Sequence, residues 1–517
     1  MAAGLYAATP AVAHEHHDDG PAAKEILGQV SFPTSCTPAA QAGVTHGVAL
    51  LHSFGYAKAQ RQFEAVAKDD PACAIAHWGV AMSLYNQIWD PPNADTLKVG
   101  RAEVAKGRAA TSAGTTARER AYIDAIGAYY DPADATPQQR AEAYEAKMHA
   151  LRAAYPDDVE AAAFDALALL SSTPVGDTSL THERQALAIL LPLFAVHPQH
   201  PGLAHYIIHT CDTPALAQQG LAAAKVYAKI AAASPHALHM PGHIFARLGM
   251  WKEDIDSNLA SAAASRKAEA AGQPGAAHQM HADEFLIYAW LQTGQVAKAE
   301  ALTNRMAAIG RRMAALPGND EMKDEGPFFD AELRAVFGIE THRWDYLVAQ
   351  QPEPGPADYV FDIYWGQGVG AGHLHDAKRA AAALAAFDNA MAVSRKDHPD
   401  AIPAMEIKRN DIAGWLAYAQ DRPDDAVAAL RAAADQQDKL GQREVDIPAR
   451  EMLGDLLMLL HRPKEALAEY RVALKLSPNR LNGLRSAAQA AQEAGAVDEA
   501  KAYQADAAKQ LAIGAKS

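Results

Sequence analysis

With 517 residues the chain has room for two to four average domains or one long repeat array. Its composition, 49% hydrophobic and 21% charged, permits a large buried core and argues against general disorder. The net charge of −15 with no concentrated basic face argues against nucleic acid as a partner, and no apolar run is long enough to span a membrane.

The first elements are not structural. Small and apolar residues run from Ala2 to Ala13, and "AVA" before His14 has the A-x-A form of a signal-peptidase site, although a basic n-region is missing. We read 1–30 as a signal-like, histidine-rich segment and expect a periplasmic or secreted protein. The alternative is an alanine-rich tail on a cytoplasmic one. The run "HEHHDD" that follows reads as a solvated tail able to chelate metal loosely. None of the three cysteines forms a C-x-x-C pair. In an exported chain Cys36 could pair with Cys73, leaving Cys211 over; otherwise all three are buried thiols.

Helical hairpins follow. Gly47, Ala59, Phe63, Val66 and Pro71 stand at offsets 0, 12, 16, 19 and 24, and Gly454, Ala466, Tyr470, Ala473 and Pro478 repeat those offsets. Ala500 lies 34 residues beyond Ala466, the period of the tetratricopeptide (TPR) helix–turn–helix. In the middle, Gly249 and Gly294 mark turns; Gly242 and Asp254, then Ile287 and Ala299, take the positions of the first helix and second helix that face each other. No period-2 pattern of any length occurs. The predicted fold is therefore all-α, a right-handed α-solenoid of stacked TPR-like repeats. We divide it into N-terminal repeats (31–200), a central histidine-rich block (201–310) and C-terminal repeats (311–517), with longer breaks around 85–105 and 320–330.

The central block carries the chemistry. In this repeat the first helix lines the concave groove, its positions 2, 5, 9 and 12 facing inward. His236, His239 and His243 fall at positions 2, 5 and 9 of one repeat, His281 and Glu284 at positions 2 and 5 of the next, and His205 and His209, four apart, share a face of the preceding one. Imidazole pairs at that spacing can grip one transition-metal ion. We expect His205, His209, His239 and His243 as ligands. His236 and His281 are further ligands or orienting partners, and Asp212 and Glu284 are the candidate general bases. Zinc is the default ion; copper and iron fit the same ligands. Pro241 forces either a helix start or a kink beside the histidines. His46, His52, His77, His342 and His461 read as ordinary hydrogen-bonded packing residues.

The stretches "VSFPTSC", "VALLHSFGYAKAQRQFEAVAKDDPACAIAHWGVAMS", "HYIIHTCD", "PHALHMPGHIFARLGMW" and "PAREMLGDLLMLLHRPKEALAEYRVAL" together resemble a group of bacterial, exported TPR proteins. That resemblance implies the fold and no settled activity. The chain lacks H-E-x-x-H and does not resemble zincin peptidases. The expected function is metal binding in the groove, extending to a metal-dependent hydrolase or other metalloenzyme. The alternatives are a metal-free adaptor for a peptide or small molecule, and a metal store or chaperone without catalysis. Adaptors that grip a carboxylate use Lys, Arg and Asn on the inner helices, whereas here those positions carry His and Glu, with Arg247 the exception.

Overall fold

The structure is a computed structural model that describes residues 26–88, 91–271, 278–316, 322–356 and 359–515. The signal-like N-terminus and its "HEHHDD" run lie almost entirely outside the described residues. Among the described residues there are twenty-six α-helices, one short 3-10 helix and no strand. The all-α expectation holds, and successive helices pair as antiparallel hairpins with short turns.

One turn geometry recurs. Phe54, Gly249, Gly294, His342, His375, Asp421, His461 and Gly495 all have φ between +53° and +83°. Each stands two residues before the second helix of its hairpin, which begins at Tyr56, Trp251, Val296, Trp344, Ala377, Pro423, Pro463 and Val497 respectively. In every case the next N–H reaches back to a carbonyl of the first helix, as Gly55 to Leu50 (2.9 Å), Met250 to Phe245 (2.8 Å) and Arg462 to Leu457 (2.8 Å). This left-handed cap satisfies carbonyls that the helix end would otherwise strand. Glycine adopts it freely, while a bulky side chain there costs roughly 1–3 kcal/mol. His342 and His461, expected as packing residues, are turn residues instead.

The offsets read from the sequence are contacts. A methyl on Gly47 would lie 2.6 Å from the Phe63 ring, one on Gly454 2.6 Å from Tyr470, and one on Gly414 2.7 Å from Leu430. Each glycine thus receives the large side chain sixteen residues on, and Ala59, Ala426 and Ala466 seal the same contact with no exposure. The hairpin of Pro241–Arg247 and Trp251–Ala270 departs from this chemistry. Gly242 there faces Asn258 and Asp254, and Asn258 Nδ2 donates to Asp254 Oδ1 at 2.7 Å. Burial pushes the Asp254 carboxyl well above its usual range, and this carboxyl sits where alanine is the rule.

Two expected breaks, 85–105 and 320–330, are helical from Ala94 and from Met322 on. Ala94–Ala110 is started by Asn93, whose side chain accepts from Thr96 N (2.9 Å). Met322–Glu340 carries Pro327 inside it, and its Gly326 approaches Gly310 closely enough that a methyl on Gly310 would meet Gly326 Cα at 2.9 Å. Glycine and proline, which read as loop signals, here permit close helix packing.

The chain forms two compact units. The first holds the described residues up to Cys211 with Gln219–Pro241; the second holds Asp212–Gln218 and the chain from Gly242 on. The first has a core around Phe32, Phe63, Trp78, Tyr122 and Phe164, beside which Cys36 and Cys73 are joined in a disulfide while Cys211 remains a buried thiol. The second is built around Trp251, Tyr288, Trp365 and Trp415.

Phe63 is held between two glycines, since a methyl on Gly79 would lie 2.2 Å from its ring. With Gly47 on its other face the ring has nowhere to move. Gly79→Ala is expected to destabilise the protein by about 1–3 kcal/mol, whereas Gly114→Ala, whose methyl would meet Ser112 Oγ at an ordinary 3.6 Å, should change stability by less than about 0.5 kcal/mol; urea denaturation of both variants checks this.

Candidate metal centre

The helix Pro201–Thr210 presents His205 and His209 on one face. Pro201 occupies its first turn, and His200 caps it by accepting from Leu203 N at 3.2 Å. His236 comes from the five-residue helix Pro235–His239, which Ser234 caps through Ala237 N (3.3 Å). The three rings converge. His205 Nε2 stands 3.0 Å from His209 Nε2 and 3.0 Å from His236 Nε2. His205 and His236 are buried and His209 is half-buried.

The tautomer of His205 is set by its other nitrogen. Nδ1 lies 2.7 Å from the His52 carbonyl, which can only accept, so Nδ1 carries a hydrogen and, in the neutral ring, Nε2 carries a lone pair. That one in-plane lone pair would have to serve two imidazole N–H donors if the trio were a hydrogen-bonded cluster. A cation satisfies all three nitrogens at once. Ligands about 2.0–2.1 Å from a tetrahedral zinc ion are about 3.3 Å apart, close to the observed separations. The carbonyl–imidazole contact is also the usual outer-layer device that orients a metal-binding ring.

Aromatic rings line the trio. The Phe54 ring lies 4.4 Å from that of His205, 5.3 Å from His209 and 5.7 Å from His236, centroid to centroid. Tyr227 stacks on His205 at 5.0 Å and 14°.

Behind the trio is a second buried set, His52, Glu160 and His200, in which hydrogen bonds leave nothing over. His52 Nε2 donates to Glu160 Oε2 (2.6 Å) and its Nδ1 accepts from the Tyr206 hydroxyl (2.9 Å). His200 Nε2 donates to Glu160 Oε1 (3.1 Å), which also accepts from Ser31 N (3.1 Å). Burial lowers the His52 pKa against the pull of Glu160, so the ring is neutral. Burial also opposes the charge on Glu160, but His52 and His200 overcome it and hold its carboxyl well below the usual range. His52 is a packing residue as expected, and its backbone carbonyl orients His205. His46 and His77 likewise have side-chain partners, Gln62 and Glu103.

The remaining candidates separate from His205 and His209. Pro241 starts the helix Pro241–Arg247, and His239 closes the short helix before it, almost fully buried, with Met240 in helical geometry between them. His243 and His281 belong to the second unit. His243 Nδ1 is 3.0 Å from Asp212 Oδ2 and 2.8 Å from Glu444 Oε1. Burial opposes its protonation, but Asp212 and Glu444 push its pKa up to about 10. The nitrogens that gather with those of His205 and His209 are those of His236, while His243 gathers with His239 and His281. His281 Nδ1 is held by Glu284 at 2.8 Å, and its ring lies 5.6 Å from that of His243.

Neither expected general base stands open. Glu284 is fully buried and clamped by His281 and Arg443 (3.1 Å), and Arg443 also holds Glu332 (2.5 Å). Asp212 is paired with Arg247 (3.0 Å) as well as His243. The sequence reading ranked His236 behind His239 and His243, because spacing along the chain does not show which ring turns towards His205. It missed Glu444, Glu160, His200 and Phe54, which carry no motif and reach their partners only through folding.

No protein-family model and no curated protein sequence matches the chain. Among solved structures, a mutant of MamA is 18% identical over 35% of this chain and 96% of its own, with a TM-score of 0.20. The TPR domain of P58(IPK) is 12% identical over 89% and 99%, with a TM-score of 0.22. The human IFIT1 dimer with PPP-AAAA is 11% identical over 84% and 90%, with a TM-score of 0.36. The chain is a TPR-like helical-repeat protein, a class defined by the recurrent left-handed turns and the glycine-to-large-residue contacts at offset sixteen.

The folded-state pKa of His243 is raised, so its stabilising contribution is complete below its unfolded value near 6.5 and is lost as pH rises towards about 10. His243→Gln should therefore cost about 3 kcal/mol at pH 6, and the difference from wild type should shrink through that window and vanish above it. Chemical denaturation of both proteins at several pH values measures this.

Proposed function

We propose that this is an exported TPR-like protein that binds one transition-metal ion through His205, His209 and His236. The single observation that carries the reading is the convergence of three imidazole nitrogens on the one lone pair that the His52 carbonyl leaves at His205 Nε2. Zinc is the ion that three imidazole ligands suit best, with copper or iron compatible. Three imidazoles are also the protein ligand set of catalytic zinc, which leaves hydrolysis of a bound substrate as an extension of this reading. The ion pairs that occupy Asp212 and Glu284 favour a binding or storage role over one in which either acts as a base.

Export is supported by the Cys36–Cys73 disulfide, a bond that persists in oxidising compartments such as the periplasm. The TPR-like scaffold also supports a peptide or protein as a further partner. No helix among the described residues is long and apolar enough to cross a membrane.

Zinc titration of the metal-stripped protein should give one tight site. His205→Ala and His236→Ala should each weaken it by more than the roughly 10–100-fold typical of outer-layer changes, and His77→Ala should leave it unchanged. Equal zinc affinity in wild type, His205→Ala and His236→Ala would falsify the proposal.

A further inference from the structure

Phe54 occupies a turn position that does not call for it. Seven other hairpins make the same left-handed turn with glycine, histidine or aspartate, while Phe54 holds φ +53° with a bulky aromatic side chain. A β-carbon in that region is disfavoured, and the penalty persists only where the surroundings offset it. Nothing in the turn itself gains from a phenyl group, because the backbone hydrogen bond from Gly55 to Leu50 is the one glycine turns make equally well. The phenyl packs against three imidazoles as well as the Tyr56 and Tyr206 rings. It lies nearly parallel to His209 (25°) and His236 (23°) and tilted against His205 (59°). Its ring is also stacked on Tyr56 at 5.3 Å and 17°, which steadies it.

The same turn supplies a second contact to the trio. His52, two residues before Phe54, gives the carbonyl that fixes the His205 tautomer. The segment from His52 to Tyr56 therefore sets both which nitrogen of His205 is offered and how the three ring planes are held.

We propose that Phe54 is a positioning residue of the histidine metal centre: its ring holds the three imidazole planes in the ligating arrangement and keeps water from that side of the ion. The proposal rests on the metal-binding reading of His205, His209 and His236. An imidazole bound to a cation is polarised towards positive charge, and a phenyl face against it is electrostatically favourable. The ring also lowers the local dielectric, which strengthens the metal–nitrogen attraction.

The test uses the full chain as wild type, Phe54→Gly and Phe54→Tyr, each loaded with zinc or with cobalt(II) as a spectroscopic probe. Glycine relieves the left-handed turn, so metal-free Phe54→Gly should melt at the same temperature as wild type or higher. Its zinc should nonetheless pass to a chelator about tenfold faster or more, and its cobalt absorption bands should weaken as water enters the coordination sphere. Phe54→Tyr keeps the ring and should release zinc and absorb light as wild type does. If Phe54→Gly matches wild type in release rate and cobalt spectrum, the ring does not position the site. If its metal-free form instead melts well below wild type, the ring is core packing, which also overturns the proposal. A wild type that binds neither ion would sink the metal-binding reading beneath it, and that result is distinct from the other two.

Discussion

The hydrogen bond from His205 Nδ1 to the His52 carbonyl is the contact on which the site depends. It joins helices more than 150 residues apart in sequence at 2.7 Å, entirely within one compact unit. A backbone carbonyl cannot change its role as an acceptor, so the fold requires a hydrogen on His205 Nδ1 and selects that tautomer of the neutral ring. Once Nε2 is the bare nitrogen, the placement of His209 and His236 around it acquires a meaning that a cluster of packing histidines would not have.

Two buried histidine sets in the same unit show how different the same residue types can be. Around Glu160 every imidazole nitrogen has a distinct partner: Tyr206, the two carboxylate oxygens and Leu203 N. That set is complete in its hydrogen bonds, with the Glu160 carboxylate accepting from both imidazoles. The His205 set instead brings three imidazole nitrogens to one point. The completeness of the first keeps His52 in place, and the position of His52 orients the second.

The second unit spends its polar side chains differently. His243, Asp212, Glu444 and Arg247 form one ion-paired group, and Glu284, Arg443 and Glu332 another. Buried pairs of this kind are costly to assemble and more costly to break, so they specify one arrangement of helices more than they add net stability. Asp254, in alanine's place opposite Gly242, belongs to the same pattern of polar groups inside a repeat that elsewhere packs with apolar side chains.

Much of the fold was legible in the residues because it rests on local periodicity. Glycine at offset 0, alanine at 12 and a large residue at 16 are a helical hairpin written in sequence, and the contacts of Gly47, Gly414 and Gly454 follow from it directly. Turns were read where glycine marked them, at 249 and 294, and overlooked at His342, His375, Asp421 and His461, where the same left-handed cap is filled by other side chains. The sequence by itself also determined that His205 and His209 share a helix face, since i and i+4 must. Which third imidazole joins them was decided only by the tertiary structure. Pro241 splits the run of three histidines between two short helices, and the direction of each ring depends on packing between elements that no spacing rule relates. Glu444 reaching His243 across 201 residues, and Phe54 folded back over the trio, are long-range contacts of the same kind, set by how helices stack and not by any period along the chain.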